Sequence, residues 1–158
     1  MKQSECGYTL LEMIIVITII GILTSMAVTN YSEQIPHQQL RDASSELVGQ
    51  LRLARQKAIA KGADETISFD IGEKKYGMQT LPSHVHFGRA TNVPKLPSAD
   101  SDPPDGISFT ANRALFNPDG TGKQGAIYLT NSKKESVAIT VNITGRVRKY
   151  LWDGHDWK

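Results

Sequence analysis

Hydrophobic and polar positions divide this chain into three regimes. Residues 13–28 form an uncharged apolar run, interrupted only by Gly21 and a few hydroxyls, with the single carboxylate of Glu12 at its entrance and the polar stretch 1–7 before it. Residues 8–28 supply about the 20 positions an α-helix needs to cross roughly 30 Å of hydrocarbon. Further on, Leu40, Ala43, Leu47, Leu51, Ala54 and Ala58 recur at steps of three or four, while Arg41, Asp42, Glu46, Arg52, Arg55 and Lys57 fall elsewhere on the wheel. That pattern predicts an amphipathic helix packed on a domain. Thr29 or Ser32, together with Pro36, marks a kink between the two halves, and Gly62 is the expected stop. A continuous helix of this length would reach about 80 Å.

Beyond Gly62 the period shortens. Residues 66–71 and 75–80 flank Gly72-Glu73-Lys74 as a hairpin, and 85–87 is a short strand. Residues 93–106 carry four prolines and three aspartates, so an exposed loop is expected. Segments 107–109, 113–116, 126–131, 137–142 and 146–152 then alternate as strands between turn residues. One helix followed by a run of strands predicts an α+β fold with antiparallel pairing.

Composition narrows the function classes. Eighteen basic and sixteen acidic side chains leave a net charge of +2, too small for a nucleic-acid binder by bulk charge. At 158 residues, the chain minus its apolar helix has room for one small core.

Glu12 carries most of the information. A carboxylate at membrane depth costs roughly 2.5–3.5 kcal/mol on insertion scales, which argues for a functional group with a partner. A secretory signal peptide would instead want a basic start, a shorter apolar core and small residues before the cut, for which Thr24-Ser25-Met26-Ala27 could pass. A plain membrane anchor is the other competitor. The string Gly7-Tyr8-Thr9-Leu10-Leu11-Glu12 followed by the apolar run resembles the processing and assembly motif of type IV pilins and type II secretion pseudopilins. The resemblance implies cleavage by a prepilin peptidase between Gly7 and Tyr8 and N-methylation of Tyr8. Tyrosine replaces the family's usual phenylalanine there. The only cysteine, Cys6, would leave with the leader, so packing alone would hold the mature domain. Glu12 would be an assembly residue, pairing with the Tyr8 amine of a neighbouring subunit, a charge partner that cleavage creates.

The C-terminal half resembles the GspH/FimT branch of these proteins through Phe116-Asn117-Pro118-Asp119-Gly120-Thr121, Ile127-Tyr128-Leu129 and Ile143-Thr144-Gly145-Arg146-Val147-Arg148. The branch implies a minor subunit near a filament tip. Gly145-Arg146-Val147-Arg148 also matches the G-R-x-R motif with which FimT-type minor pilins bind DNA. On a strand, Arg146 and Arg148 would share one face, with Lys149, Tyr150, Trp152, Trp157 and Lys158 crowding after them. Arg146, Arg148, Lys149 and Lys158 are therefore candidate DNA contacts, through phosphates and without base reading. The competing reading has Tyr150 and Trp152 plugging a sheet edge and the arginines merely solvated.

The expected organisation is a cleaved leader over 1–7, a membrane or filament-core helix over 8–31, and a soluble domain over 32–158. The expected partners are other pilins or pseudopilins, prepilin peptidase, the inner membrane before assembly, and DNA. The expected location is the bacterial inner membrane, with the domain in the periplasm, followed by a filament. Pilus minor pilin and secretion pseudopilin both remain open. Neither enzyme nor cofactor is expected. Gly120 to Gly125 satisfies G-x-G-x-x-G but precedes a strand, so it reads as a turn. His84 and His86 lack further ligands for zinc, and Asp100, Asp102 and Asp105 read as a solvated loop rather than a calcium site.

Overall fold

The computed structural model describes residues 9–97 and 105–158, without the side chains of 26–31. The chain divides into two units, Met1–Ile35 and Pro36–Lys158. Helix α1 spans Leu10–Lys61, with Pro36 inside it.

In the first unit, Thr9 caps the helix. Its hydroxyl accepts the Glu12 amide at 3.2 Å, and its carbonyl accepts the Met13 amide at 3.3 Å. Thr9-Leu10-Leu11-Glu12 is thus the spacing of a capping box, which also sets the Glu12 carboxylate in the first turn, where the helix dipole favours negative charge. The apolar side chains that follow lie on every side of the helix and are exposed, from Val16 at 44 % to Leu10 at 78 %. A helix apolar all round belongs in lipid or inside an assembly. Among the described residues no helix is long and apolar enough to cross a membrane, and the apolar run extends past Ser25 into side chains that are not described.

In the second unit, the remainder of α1 carries two antiparallel sheets. Strands β1 (Glu65–Asp70), β2 (Lys75–Tyr76), β3 (Gln79–Thr80), β4 (Val85–Phe87), β5 (Arg113–Phe116), β6 (Gly125–Asn131), β7 (Ser136–Val141) and β8 (Val147–Leu151) follow in order. They pair as β3-β2-β1-β5 and β4-β6-β7-β8. All six predicted helix positions, Leu40 through Ala58, are buried in a core shared with Ile127, Leu129, Ile139 and Val147. The Tyr76 phenol, pushed up to about 12 by burial and by Glu46, belongs to the same core.

Three expectations are corrected. Residues 107–109 are not a strand: Ile107 makes only an isolated bridge to Ile127 before the chain turns through Ala111 and Asn112, at φ +54 and +50. Residues 75–80 form not one strand but a second tight hairpin, β2 and β3, because Gly77 at φ +57 turns the chain beside the exposed Met78. The 93–106 segment is not exposed throughout: Val93 and Leu96 are buried, and the Leu96 amide donates to the Tyr128 hydroxyl at 3.0 Å. Apolar side chains and that polar anchor outweigh the proline signal. The aspartates of 100 and 102 lie outside the described residues.

Burying the loop at Leu96 also explains why β6 and β7 are apolar on both faces. Ile127 and Leu129 face the helix, whereas Ala126, Tyr128 and Ala138 face outward beneath Leu96, Tyr150 and Trp157.

Candidate functional site

Gly7 and Tyr8, the expected processing residues, lie outside the described residues. Glu12 is exposed in the first turn of α1. Its backbone amide, bonded to the Thr9 hydroxyl, makes Thr9-x-x-Glu12 a capping spacing that is readable in the sequence.

At the C-terminal end, β8 is an edge strand paired to β7, with Thr140 opposite Arg148 and Ala138 opposite Tyr150. Arg148 is exposed and its Nη1 reaches the Tyr150 hydroxyl at 3.5 Å, on the outward face. Lys149 points the other way, donating to Ser45 Oγ of α1 at 3.0 Å. Lys158 is held in the tail, where its ammonium pairs with Asp153 and its backbone exchanges two hydrogen bonds with Leu151, at 2.7 and 2.9 Å. The Asp153 carboxyl sits well below the usual carboxylate range through its bond to Lys158 and through the amides of Asp156 and His155. Trp157 packs at 5.5 Å from Trp152 and 6.0 Å from Tyr128, and its indole donates to the Pro94 carbonyl at 3.1 Å. The tail therefore covers the C-terminal end of the free edge of β8, at Leu151, and the outer face beside it, which limits edge-to-edge pairing there. The four expected cations differ in their engagement: Arg146 and Arg148 are exposed and in no ion pair among the described residues, Lys149 is half-buried and bonded to Ser45, and Lys158, though exposed, is paired with Asp153.

The glycine of the G-R-x-R string has a structural cause. Gly145 adopts φ +70, and a Cβ there would overlap the Gly120 carbonyl oxygen and lie 2.8 Å from Arg55 Nε. Arg55 explains the crowding. Its Nε donates to the Gly120 carbonyl at 2.8 Å and its Nη2 to the Thr144 carbonyl at 3.2 Å, so one side chain of α1 clamps the turn before β6 to the turn before β8.

Beside this clamp lies a cleft of about 300 Å³ lined by Arg52, Arg55, Gln56, Ile59, Gly145, Arg146 and Val147. Arg52 and Arg55 were visible in sequence only as the polar side of an amphipathic helix. Nothing local in the chain reveals that they meet Arg146, some ninety positions away.

Residues 2–28 match the prokaryotic N-terminal methylation motif, and residues 43–145 match the type II transport protein GspH family. A fimbrial protein of Pseudomonas aeruginosa is 27 % identical over 136 residues, covering 85 % of this chain and 84 % of the relative. The minor pseudopilin EpsH from the type 2 secretion system of Vibrio cholerae is similar at a TM-score of 0.49 and 13 % identity, covering 75 % of this chain and 99 % of that structure. The type IV minor pilin FimU of Pseudomonas aeruginosa is similar at 0.48 and 15 %, covering 77 % and 94 %. The GspH match covers well over half of the sequence: this chain belongs to the family of the type II transport protein GspH, among the type IV pilins and pseudopilins.

Proposed function

We propose that this protein is a minor pilin, a non-enzymatic filament subunit that acts in the assembly of a type IV pilus at or near its tip. The observation that carries the proposal is the first turns of α1: apolar side chains exposed on every side, with Glu12 as the only charge among them. Such a surface is unfavourable in water, at about 25 cal/mol for each Å² left uncovered, so lipid first and neighbouring helices afterwards would cover it. In this reading prepilin peptidase cuts after Gly7, Tyr8 is N-methylated, and Glu12 meets the new amine of a neighbour. The helix starts in the inner membrane with the domain in the periplasm. Glu12→Ala tests the assembly role: the variant should accumulate in membranes and be absent from sheared filaments, and normal incorporation would refute it.

A second reading, the minor pseudopilin of a type II secretion system, draws on the GspH match over residues 43–145. Both readings share the processing and assembly chemistry. They part at the C-terminal end, where the pilus reading adds sequence-independent DNA contact through Arg146 and Arg148. Both side chains are exposed, as phosphate contacts require, and Tyr150 beside Arg148 offers an aromatic neighbour. Retained duplex binding after Arg146→Gln plus Arg148→Gln would place any such contact elsewhere.

A further inference from the structure

We propose that the cleft between α1 and the turn before β8 is a preorganised oxyanion seat for a phosphodiester group, with Arg52 and Arg146 as its contacting cations and Arg55 as its positioning residue. The inference rests on the DNA-contact reading for the source of the phosphate and on the cleft alone for the chemistry.

Three guanidinium-bearing residues, with the amide-bearing Gln56, line a space of about 300 Å³, and no carboxylate-bearing residue is among its lining. In a chain of net charge +2 this is a local concentration of one sign. Arg52 and Arg146 make no ion pair among the described residues. The carboxylate nearest in sequence to the clamped Gly120, Asp119, accepts the Thr121 amide at 2.9 Å and hydroxyl at 2.6 Å and is not among the residues lining the cleft. Like charges gathered in a concave site repel one another, and an anion relieves that repulsion while the walls focus the field on it.

The seat is also rigid on one side. Two backbone carbonyls fix the Arg55 fork, and Gly145 packs against it so closely that no side chain fits there. Gly145 then delivers Arg146 to the cleft, and Arg52 stands one helical turn before Arg55. Planar guanidinium groups match the oxygens of a phosphate in paired hydrogen bonds, and a fixed frame lowers the ordering cost of binding. The G-R-x-R string is thus half of the seat, and the helix supplies the other half.

The test uses the full chain in detergent micelles. Fluorescence anisotropy follows a labelled DNA duplex at two salt concentrations, and phosphorus NMR follows pyrophosphate as the free-anion probe. Arg52→Gln should weaken both ligands about five- to tenfold and make the salt slope for DNA shallower by about one. Arg52→Lys should restore part of the loss, and Lys133→Gln, an exposed cation outside the cleft, should change neither. Arg52 is exposed, so an unchanged melting temperature should accompany the loss. If Arg52→Gln binds both ligands as the unmodified chain does, the seat is overturned, and a loss on Arg146→Gln plus Arg148→Gln would leave the DNA reading standing. If the unmodified chain ignores DNA yet binds pyrophosphate in an Arg52-dependent way, the seat stands and the DNA reading falls. If it binds neither ligand, both fall.

Discussion

Replacing Gly145 by alanine should be among the most damaging single-methyl changes in the second unit. The backbone there is left-handed at φ +70, which costs a side-chain-bearing residue roughly 1–2 kcal/mol. The added Cβ would also overlap the Gly120 carbonyl oxygen and crowd Arg55 Nε at 2.8 Å, so the clamp must open and its 2.8 Å charged hydrogen bond is lost. Hydrogen bonds to charged groups are worth about 1.5–3 kcal/mol. The sum is about 3 kcal/mol, or about 10 °C in the melting temperature of a domain of this size. Thermal unfolding of the full chain in detergent, followed by circular dichroism, measures it. Gly154→Ala separates the two causes, because Gly154 is also left-handed, at φ +100, but a Cβ there meets nothing within 4 Å. It should lose only the strain component. A Gly145→Ala melt within about 2 °C of the unmodified chain, or a Gly154→Ala loss of equal size, would refute the clamp as the cause.

Three further changes probe other parts of the structure. Asn131 is buried, donates to the Pro36 carbonyl at 3.2 Å and to Glu135 at 2.6 Å, and accepts the Lys133 and Glu135 amides at 3.0 Å; Asn131→Ala should cost about 2–3 kcal/mol in urea unfolding. Gly49 lies on the helix with open space where a Cβ would be, so Gly49→Ala should stabilise by about 0.8–1 kcal/mol in the same assay. Asp153 is ionised in the folded tail at pH values where the unfolded chain takes up a proton, so its contribution is present above about pH 4 and is lost as the pH falls below that toward the depressed folded value. The fluorescence of Trp152 and Trp157 should hold through pH 4 and change only below it, and Asp153→Asn should loosen the tail at neutral pH.

Elements governed by local period were legible in the sequence. The helix face from Leu40 to Ala58, the β1 hairpin turn, β4 and the last three strands follow from side-chain spacing and turn residues within a few positions. What escaped depends on distant partners. Leu96 reads as part of a proline-rich loop until Tyr128 offers it a hydroxyl and an apolar floor. Lys149 reads as one of a cationic run until the register of β8 turns it to Ser45. The arginine cleft was half visible: Gly145 and Arg146 stand out as a motif, but Arg52 and Arg55 look like ordinary solvated helix positions. Only the packing of α1 on the second sheet joins them. Thr9 is the exception, since its capping relation to Glu12 was local and lay hidden under the family motif that occupies the same residues.

Everything proposed for the filament begins with one bond, between Gly7 and Tyr8. Mass spectrometry of the chain recovered from cells that make the filament tests it directly. The expected result is a chain that begins at Tyr8 and carries one extra methyl group, which fragmentation places on the Tyr8 amine. An intact leader, or a terminus near Ala27, would contradict it, because Glu12 would then have no new amine to meet.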